Sequence, residues 1–351
     1  MKTVINLKNV DTTKQPMFLG EDLSIQRYDK FKYPKFYQNF QTQLSFFWRP
    51  EEVSLVKDRV DFKKLPDAQK AIFTKNLKYQ ILLDSCQARA IPLLSQYVTL
   101  PELEAAMISW PFFELIHSYS YTHIIKNVYS NPDEIFDTLL EDEEIIKRAT
   151  SVTKYYNELI DAEEDIKKKL YLALINVNIL EGIRFYVSFA CAYAFAENKL
   201  MEGNSKVITL INRDENMHLV LTQQIITLLQ KNKDEGFAEV AEECKPIAIQ
   251  MFKDAVEEEM AWAQYLFKDG SMLGLNDTLL NQYMQWLTSK RMQAINLPPL
   301  FEQTKNPLGW ISNWTDSTKL QPAPQETEIE SYKVGSLKQN LDENLFDGID
   351  F

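Results

Sequence analysis

Two stretches of the chain set a glutamate three residues ahead of a histidine: FFELIHSYSY, with Glu114 and His117, and RDENMHL, with Glu215 and His218. Residues at i and i+3 share one face of a helix, so each pair, if helical, presents a carboxylate beside an imidazole. A single such pair could equally be a surface glutamate next to a hydrogen-bonded histidine. Here the pattern occurs twice and takes two of only three histidines in 351 residues, and the repetition points to a shared metal site. Two further acids stand out because they interrupt apolar runs: Asp84 in YQILLDSCQA and Glu181 in INVNILEGIRFYVSF. A carboxylate buried in such a helix costs several kcal/mol unless it is paired or bound to a cation. Either a metal or an ion pair with an arginine such as Arg184 would meet that requirement. Together the four carboxylates and two imidazoles make a hard oxygen and nitrogen set that suits two iron or manganese ions, and no thiolate set accompanies it.

Tyr121 follows His117 by four residues and Glu114 by seven, which puts a phenol on the same helix face, whereas Tyr119 points away. Phe185 and Phe189 follow Glu181 by four and eight, and Ile211 precedes Glu215 by four, so apolar side chains share the faces that carry the acids. They would form a dry sleeve around Tyr121. A phenol beside an oxidising dimetal centre can lose an electron and a proton, and the radical survives only where water and reductants are excluded. Asp214, next to Glu215, could accept the free N–H of His117, an arrangement that fixes the orientation of a metal-bound imidazole.

These residues need helices to hold them. Only 9 glycines and a succession of apolar segments of period 3.6 indicate an all-α body, with helices near 34–47, 67–88, 101–128, 143–160, 164–196, 205–231, 235–267 and 276–295. Two Glu-x-x-His helices and two further carboxylate-bearing helices are the ligand plan of a ferritin-like helical bundle with a dinuclear site. Pro101 suits the first position of a helix, while Pro111 falls inside a helical pattern one turn before Glu114 and should kink it or mark a bulge. The bundle and an N-terminal arm account for residues 1–320. Residues 321–351, QPAPQETEIESYKVGSLKQNLDENLFDGIDF, form an acidic tail poor in apolar residues until Leu341, Leu345, Phe346, Ile349 and Phe351 near its tip. A polar segment with an apolar tip suggests folding onto a partner.

A net charge of −12 offers no basic surface for nucleic acid. The start, MKTVINLKNVDTTKQ, has no secretory pattern, which indicates the cytoplasm. The longest apolar run, 182–196, is too short for a membrane span and contains Arg184. Cys86, Cys191 and Cys244 form no C-x-x-C pair and read as reduced core thiols.

The chain resembles the small, radical-generating subunit of class I ribonucleotide reductase. The likeness runs from PMFLGEDLSIQRYD to the C-terminus through QLSFFWRPEEV, NLKYQILLDS, ELIHSYSYTHIIKN, LEGIRFYVSFACAYAFAE, MEGN, RDENMHL, LFKDGSM and PQETEIESY. The resemblance implies that Asp84, Glu114, His117, Glu181, Glu215 and His218 bind a di-iron centre, two ions per chain with manganese as an alternative, and that Tyr121 carries a stable radical. It further implies that Trp48 joins Asp214 and His117 in an electron and proton path, that Tyr332 relays the radical, and that the chain is a homodimer whose tail docks on a large, catalytic subunit that reduces ribonucleotides. Tyr119 departs from the arginine of many relatives, and Pro111 from a small residue. The rival readings are another ferritin-like di-iron oxidase with its own substrate, and a metal-storage or structural helical protein.

Overall fold

The computed structural model of the chain describes residues 3–160, 162, 164–302 and 305–315. Helices dominate them: α1 Pro34–Leu44, α2 Val56–Lys64, α3 Asp67–Ser95, α4 Pro101–Val128, α5 Pro132–Asp137, α6 Glu143–Ile160, α7 Ile166–Ile179, a π-helical turn Leu180–Arg184, α8 Tyr186–Glu197, α9 Glu202–Lys231, α10 Ala238–Phe267, α11 Asp277–Ala294 and α12 Ser312–Thr315. The only β features among the described residues are the isolated bridges Phe18 to Val98 and Met272 to Leu275. The all-α expectation holds. The tail from residue 321 onward, including Tyr332, lies outside the described residues.

α4 starts where the sequence places it. Pro101 occupies its first turn with Glu102 and Glu104, a proline and two acids suited to the positive end of a helix. It runs through Pro111 as α-helix, so of the kink or bulge expected there, the bulge is absent. The irregular turn lies instead inside the predicted 164–196 helix, at Leu180–Arg184, and carries Glu181. α3 also differs from its expected end at 88, continuing through Pro92 to Ser95.

α3 packs on α4, α6 and α8, while α9 packs on α4, α7 and α8, and the π-helical turn touches α9, α10 and α11. The stretch Ile166–Glu197 has the length and hydropathy of a membrane span, but its apolar window is wholly inside the protein. It is a core helix pair, as the sequence indicates. Cys191 and Cys244 are buried free thiols; Cys86 is only half-buried, a correction to its reading as a core residue.

Two buried acids set the frame around the site. Asp58 of α2 accepts hydrogen bonds from the backbone N–H of Gly203 at 3.0 Å and of Asn204 at 2.5 Å, satisfying donors in the first turn of α9. Residue 203 must be small, because a Cβ there would stand 2.5 Å from the Ser54 carbonyl oxygen. Glu235 accepts from the Met17 N–H, the Lys32 ammonium and the Tyr33 hydroxyl, which straps the N-terminal arm across the bundle.

Candidate metal centre

Four segments bring the six predicted ligands together. α3 supplies Asp84, α4 supplies Glu114 and His117, the π-helical turn supplies Glu181, and α9 supplies Glu215 and His218. They form two groups, Asp84, Glu114, His117 and Glu215 on one side and Glu114, Glu181, Glu215 and His218 on the other, with ligand atoms in each group lying within 4.8 Å of one another. Glu114 and Glu215 belong to both, as bridging carboxylates between two ions would.

All six side chains are buried. Asp84 Oδ1 and Oδ2, Glu114 Oε2 and Glu181 Oε2 have no hydrogen-bond partner in the protein, while His117 Nδ1 and Glu215 Oε1 face each other at 3.0 Å. Leaving so many buried acceptors unsatisfied would cost far more than one helix can offset, and a divalent cation is the group that such a donor set fits. Burial, followed by the charges of neighbouring Glu114 and Glu215, holds Asp84 well above the usual carboxylate range. Glu181 is raised for the same first reason and then by Glu215; Glu114 is raised by burial and by Glu215. Burial alone would lower His117, but the Glu215 charge overrides it and raises the imidazole well above its ordinary value. Burial pushes Glu215 up, but His117 and the surrounding hydrogen bonds bring it below the usual range. Without metal, burial thus pushes Asp84, Glu114 and Glu181 toward their protonated forms, while His117 and Glu215 favour each other's charged forms.

The partners outside the ligand set differ between the sides. On the Asp84 side, His117 Nε2 lies 3.3 Å from Asp214 Oδ2, which also accepts from Trp48 Nε1 at 2.7 Å, and the Trp48 ring stacks at 6.3 Å from the His117 ring. Arg213 bonds Asp214 Oδ1 at 3.0 Å. Orienting His117 through Nε2 leaves Nδ1 turned toward the acids, 3.0 Å from Glu215 Oε1. On the His218 side, Trp110 stacks on the imidazole at 4.5 Å and donates through Nε1 to Glu114 Oε1 at 2.6 Å. Gln87 Nε2 donates to Glu181 Oε1, and Tyr156 donates to Gln87 Oε1 at 2.9 Å. Sequence reasoning missed Gln87, Trp110 and Tyr156. Gln87 follows Asp84 by three and Trp110 precedes Glu114 by four, spacings that put them on the ligand faces.

Tyr121 is fully buried and its hydroxyl makes no hydrogen bond within the protein. Burial, then the Asp84 charge, raises the phenol well above its ordinary value, so it stays protonated. Phe185, Phe189 and Ile211 are fully buried in the same core cluster as Tyr121, and the two phenylalanine rings stack at 5.5 Å. Tyr119, by contrast, is exposed and donates to Glu51 on the outer surface. Arg184 does not pair with Asp84 or Glu181: it bonds Glu258 Oε2 at 2.6 Å and Glu259 Oε1 at 3.3 Å. The ion-pair explanation for the two buried acids is thereby removed.

Comparison with known proteins gives a consistent result. The family described as "Ribonucleotide reductase, small chain" matches residues 26–307. A Haemophilus influenzae protein named ribonucleoside-diphosphate reductase subunit beta is 47% identical, with 98% of each chain covered. Among solved structures, the ribonucleotide reductase R2 subunit from Clostridium botulinum aligns with a TM-score of 0.83 at 33% identity, covering 90% of this chain and 98% of its own. A Streptococcus sanguinis protein described as dimanganese(II)-NrdF shares the fold, with a TM-score of 0.70 at 18% identity over 83% of this chain and 99% of its own.

Proposed function

Because this chain belongs to the ribonucleotide reductase small-chain family, as a subunit of ribonucleoside-diphosphate reductase, we propose that its six clustered ligands hold two iron ions and that Tyr121 stores the radical the enzyme uses. The observation that carries this reading is the pair of ligand groups sharing Glu114 and Glu215. Iron held there would take up dioxygen and supply the one-electron oxidation of a nearby phenol.

The residues around the centre do the rest. The raised phenol of Tyr121 keeps its proton until oxidation removes an electron and the proton together. Phe185, Phe189 and Ile211 keep water from the phenoxyl ring. Asp214 fixes His117 through Nε2 and joins it to the Trp48 indole N–H, a continuous polar path from the centre to a fully buried indole. Trp48 carries the electron and Asp214 the accompanying proton along that path. The manganese in the name of the Streptococcus sanguinis protein belongs to that protein, and the oxygen and nitrogen ligands here accept either metal.

The family works with a large subunit. The bundle, residues 1–320, carries the metal centre, and the tail, 321–351, docks on the large subunit through its apolar tip and passes the radical through Tyr332. The chain pairs with a second copy through the outer face of α4. Ile108, Phe112, Leu115 and Tyr119, at i, i+4, i+7 and i+11, are between 47% and 60% exposed there, and Phe47 stacks on Phe112. An apolar stripe of that extent on a helix is the mark of an interface. The chain works in the cytoplasm.

Metal analysis tests the central assignment. Reconstituted protein should hold two ions per chain, and Glu215→Ala, which removes a ligand common to both groups, should hold fewer than one; two ions retained in that variant would contradict it. For the tail, deletion of 341–351 should weaken association with the large subunit while metals and radical persist. Tyr332→Phe should keep association yet abolish nucleotide reduction, and full turnover by that variant would remove its relay role.

A further inference from the structure

We propose that Tyr156 is a positioning residue for the Glu181 side of the metal centre and acts through Gln87. The inference rests on the ligand set proposed above. Tyr156 lies on α6, which carries no ligand but packs against α3, and is 4% exposed. Its hydroxyl donates to Gln87 Oε1 at 2.9 Å, and Gln87 Nε2 donates to Glu181 Oε1. The chain of bonds ends on one oxygen of Glu181; the other, Oε2, has no protein partner and is the atom free to meet a cation.

A buried glutamine amide can present either its N–H or its carbonyl oxygen to a neighbour. Only the orientation found here matches all three groups with Glu181 ionised. The amide N–H faces the carboxylate, and the phenol O–H faces the amide carbonyl. Turned by half a revolution, the amide would set two acceptor oxygens against each other. The ionised carboxylate selects that orientation, and the phenol, donating to the amide carbonyl, braces the amide in it.

Glu181 needs that hold more than the other five ligands. They sit on regular α-helix, whereas Glu181 sits on a π-helical turn, where the extra residue shifts the side chain off the helical phase. The turn's backbone is tied down separately. Arg184 anchors it to Glu258 and Glu259, and Arg291 Nε donates to the Gly182 carbonyl at 3.3 Å. Those bonds fix where the turn lies, and the Tyr156–Gln87 relay fixes how its carboxylate points.

Glu181 belongs to the group with Glu114, Glu215 and His218 and not to the group with Asp84 and His117. Loss of the relay should accordingly weaken one ion and spare the other. The test is titration of the metal-free, full-length protein with Mn2+ alone, with free and bound ion followed by electron paramagnetic resonance, in wild type, Tyr156→Phe, Gln87→Met and the double variant. Phenylalanine keeps the buried ring, so the fold should tolerate it; thermal unfolding of each metal-free variant checks this. The relay predicts one ion bound as in wild type and the other about tenfold more weakly in each single variant, the scale typical of outer partners of a ligand. The double variant should be no weaker than Gln87→Met, because the phenol acts only through the amide. Unchanged affinity in Tyr156→Phe, equal weakening of both ions, or additive losses in the double variant would each overturn the relay. Glu181→Ala separates the two readings. If it keeps both ions at wild-type affinity, the ligand set itself has failed and the relay with it; if it loses one, the ligand set stands and Tyr156→Phe alone judges the relay.

Discussion

The two halves of the metal centre are built from the same motif and surrounded differently. Each has a Glu-x-x-His pair on a long helix, and the two share Glu114 and Glu215. The Asp84–His117 half is joined to Trp48 through Asp214 and lies on the helix face that carries Tyr121. The Glu181–His218 half is set among Trp110, Gln87 and Tyr156, with a π-helical turn in place of regular helix. Tyr121 and the Asp214–Trp48 contacts thus belong to one half, while the other half has neutral hydrogen-bond donors fixed on its carboxylates. The likeness of sequence motif conceals different surroundings, which under the proposed function become a division of labour: one half next to the redox residues, the other with its ligands held by outer partners.

That division has measurable consequences, the largest at the imidazoles. His117→Ala should lose one ion and, with it, the radical, whereas His218→Ala should lose the other ion and leave the Trp48–Asp214 contact in place. Metal content and tryptophan fluorescence distinguish them. Identical fluorescence changes in both variants would show that the halves are not separately connected.

Trp48→Phe should have the next largest effect. It removes the indole donor to Asp214 and leaves every ligand untouched, so metal content and the radical signal should remain while turnover with the large subunit falls about 10–100-fold. Loss of metal from this variant would instead make Trp48 a structural support of His117.

The smallest effect concerns pH. Asp84, Glu114 and Glu181 have folded-state values above their unfolded ones, so their contribution to stability is fully present below an unfolded value of about 4 and is lost as pH rises through the folded values. His117, also raised, acts in the same direction. Glu215, lowered, acts oppositely, and its contribution is lost only as pH falls through its folded value in strong acid. The melting temperature of metal-free protein should therefore fall as pH rises above about 4 toward the raised folded values, while metal uptake releases protons and strengthens as pH rises. Calorimetry on both forms checks this, and a metal-free melting temperature that rises with pH would contradict it.

Much of the centre was legible in the sequence because its ligands break a pattern. Asp84 and Glu181 are acids in apolar runs, and the histidines are scarce enough for a repeated spacing to stand out. Trp48 was different: nothing in its own surroundings marks it, and its role came from the resemblance to a family, after which the structure placed its indole on Asp214. The π-helical turn was illegible for a physical reason. Every residue from Leu170 to Ala196 is buried, so no polar face exists to reveal that the helical phase shifts at Glu181. α2 escaped notice because its inward residues are Asp58 and Asp61, which leave no apolar stripe to detect. Gln87 and Tyr156 are ordinary helix residues until their partners are seen.

The central claim is that the buried phenol on the Asp84 side, and not another of the buried tyrosines such as Tyr156 or Tyr186, holds the radical. Electron paramagnetic resonance after reconstitution with ferrous iron and oxygen, on wild type beside Tyr121→Phe, tests it most directly. The account predicts a stable tyrosyl signal in wild type and none in the variant, with two ions per chain in both. A persistent tyrosyl signal in Tyr121→Phe would contradict it.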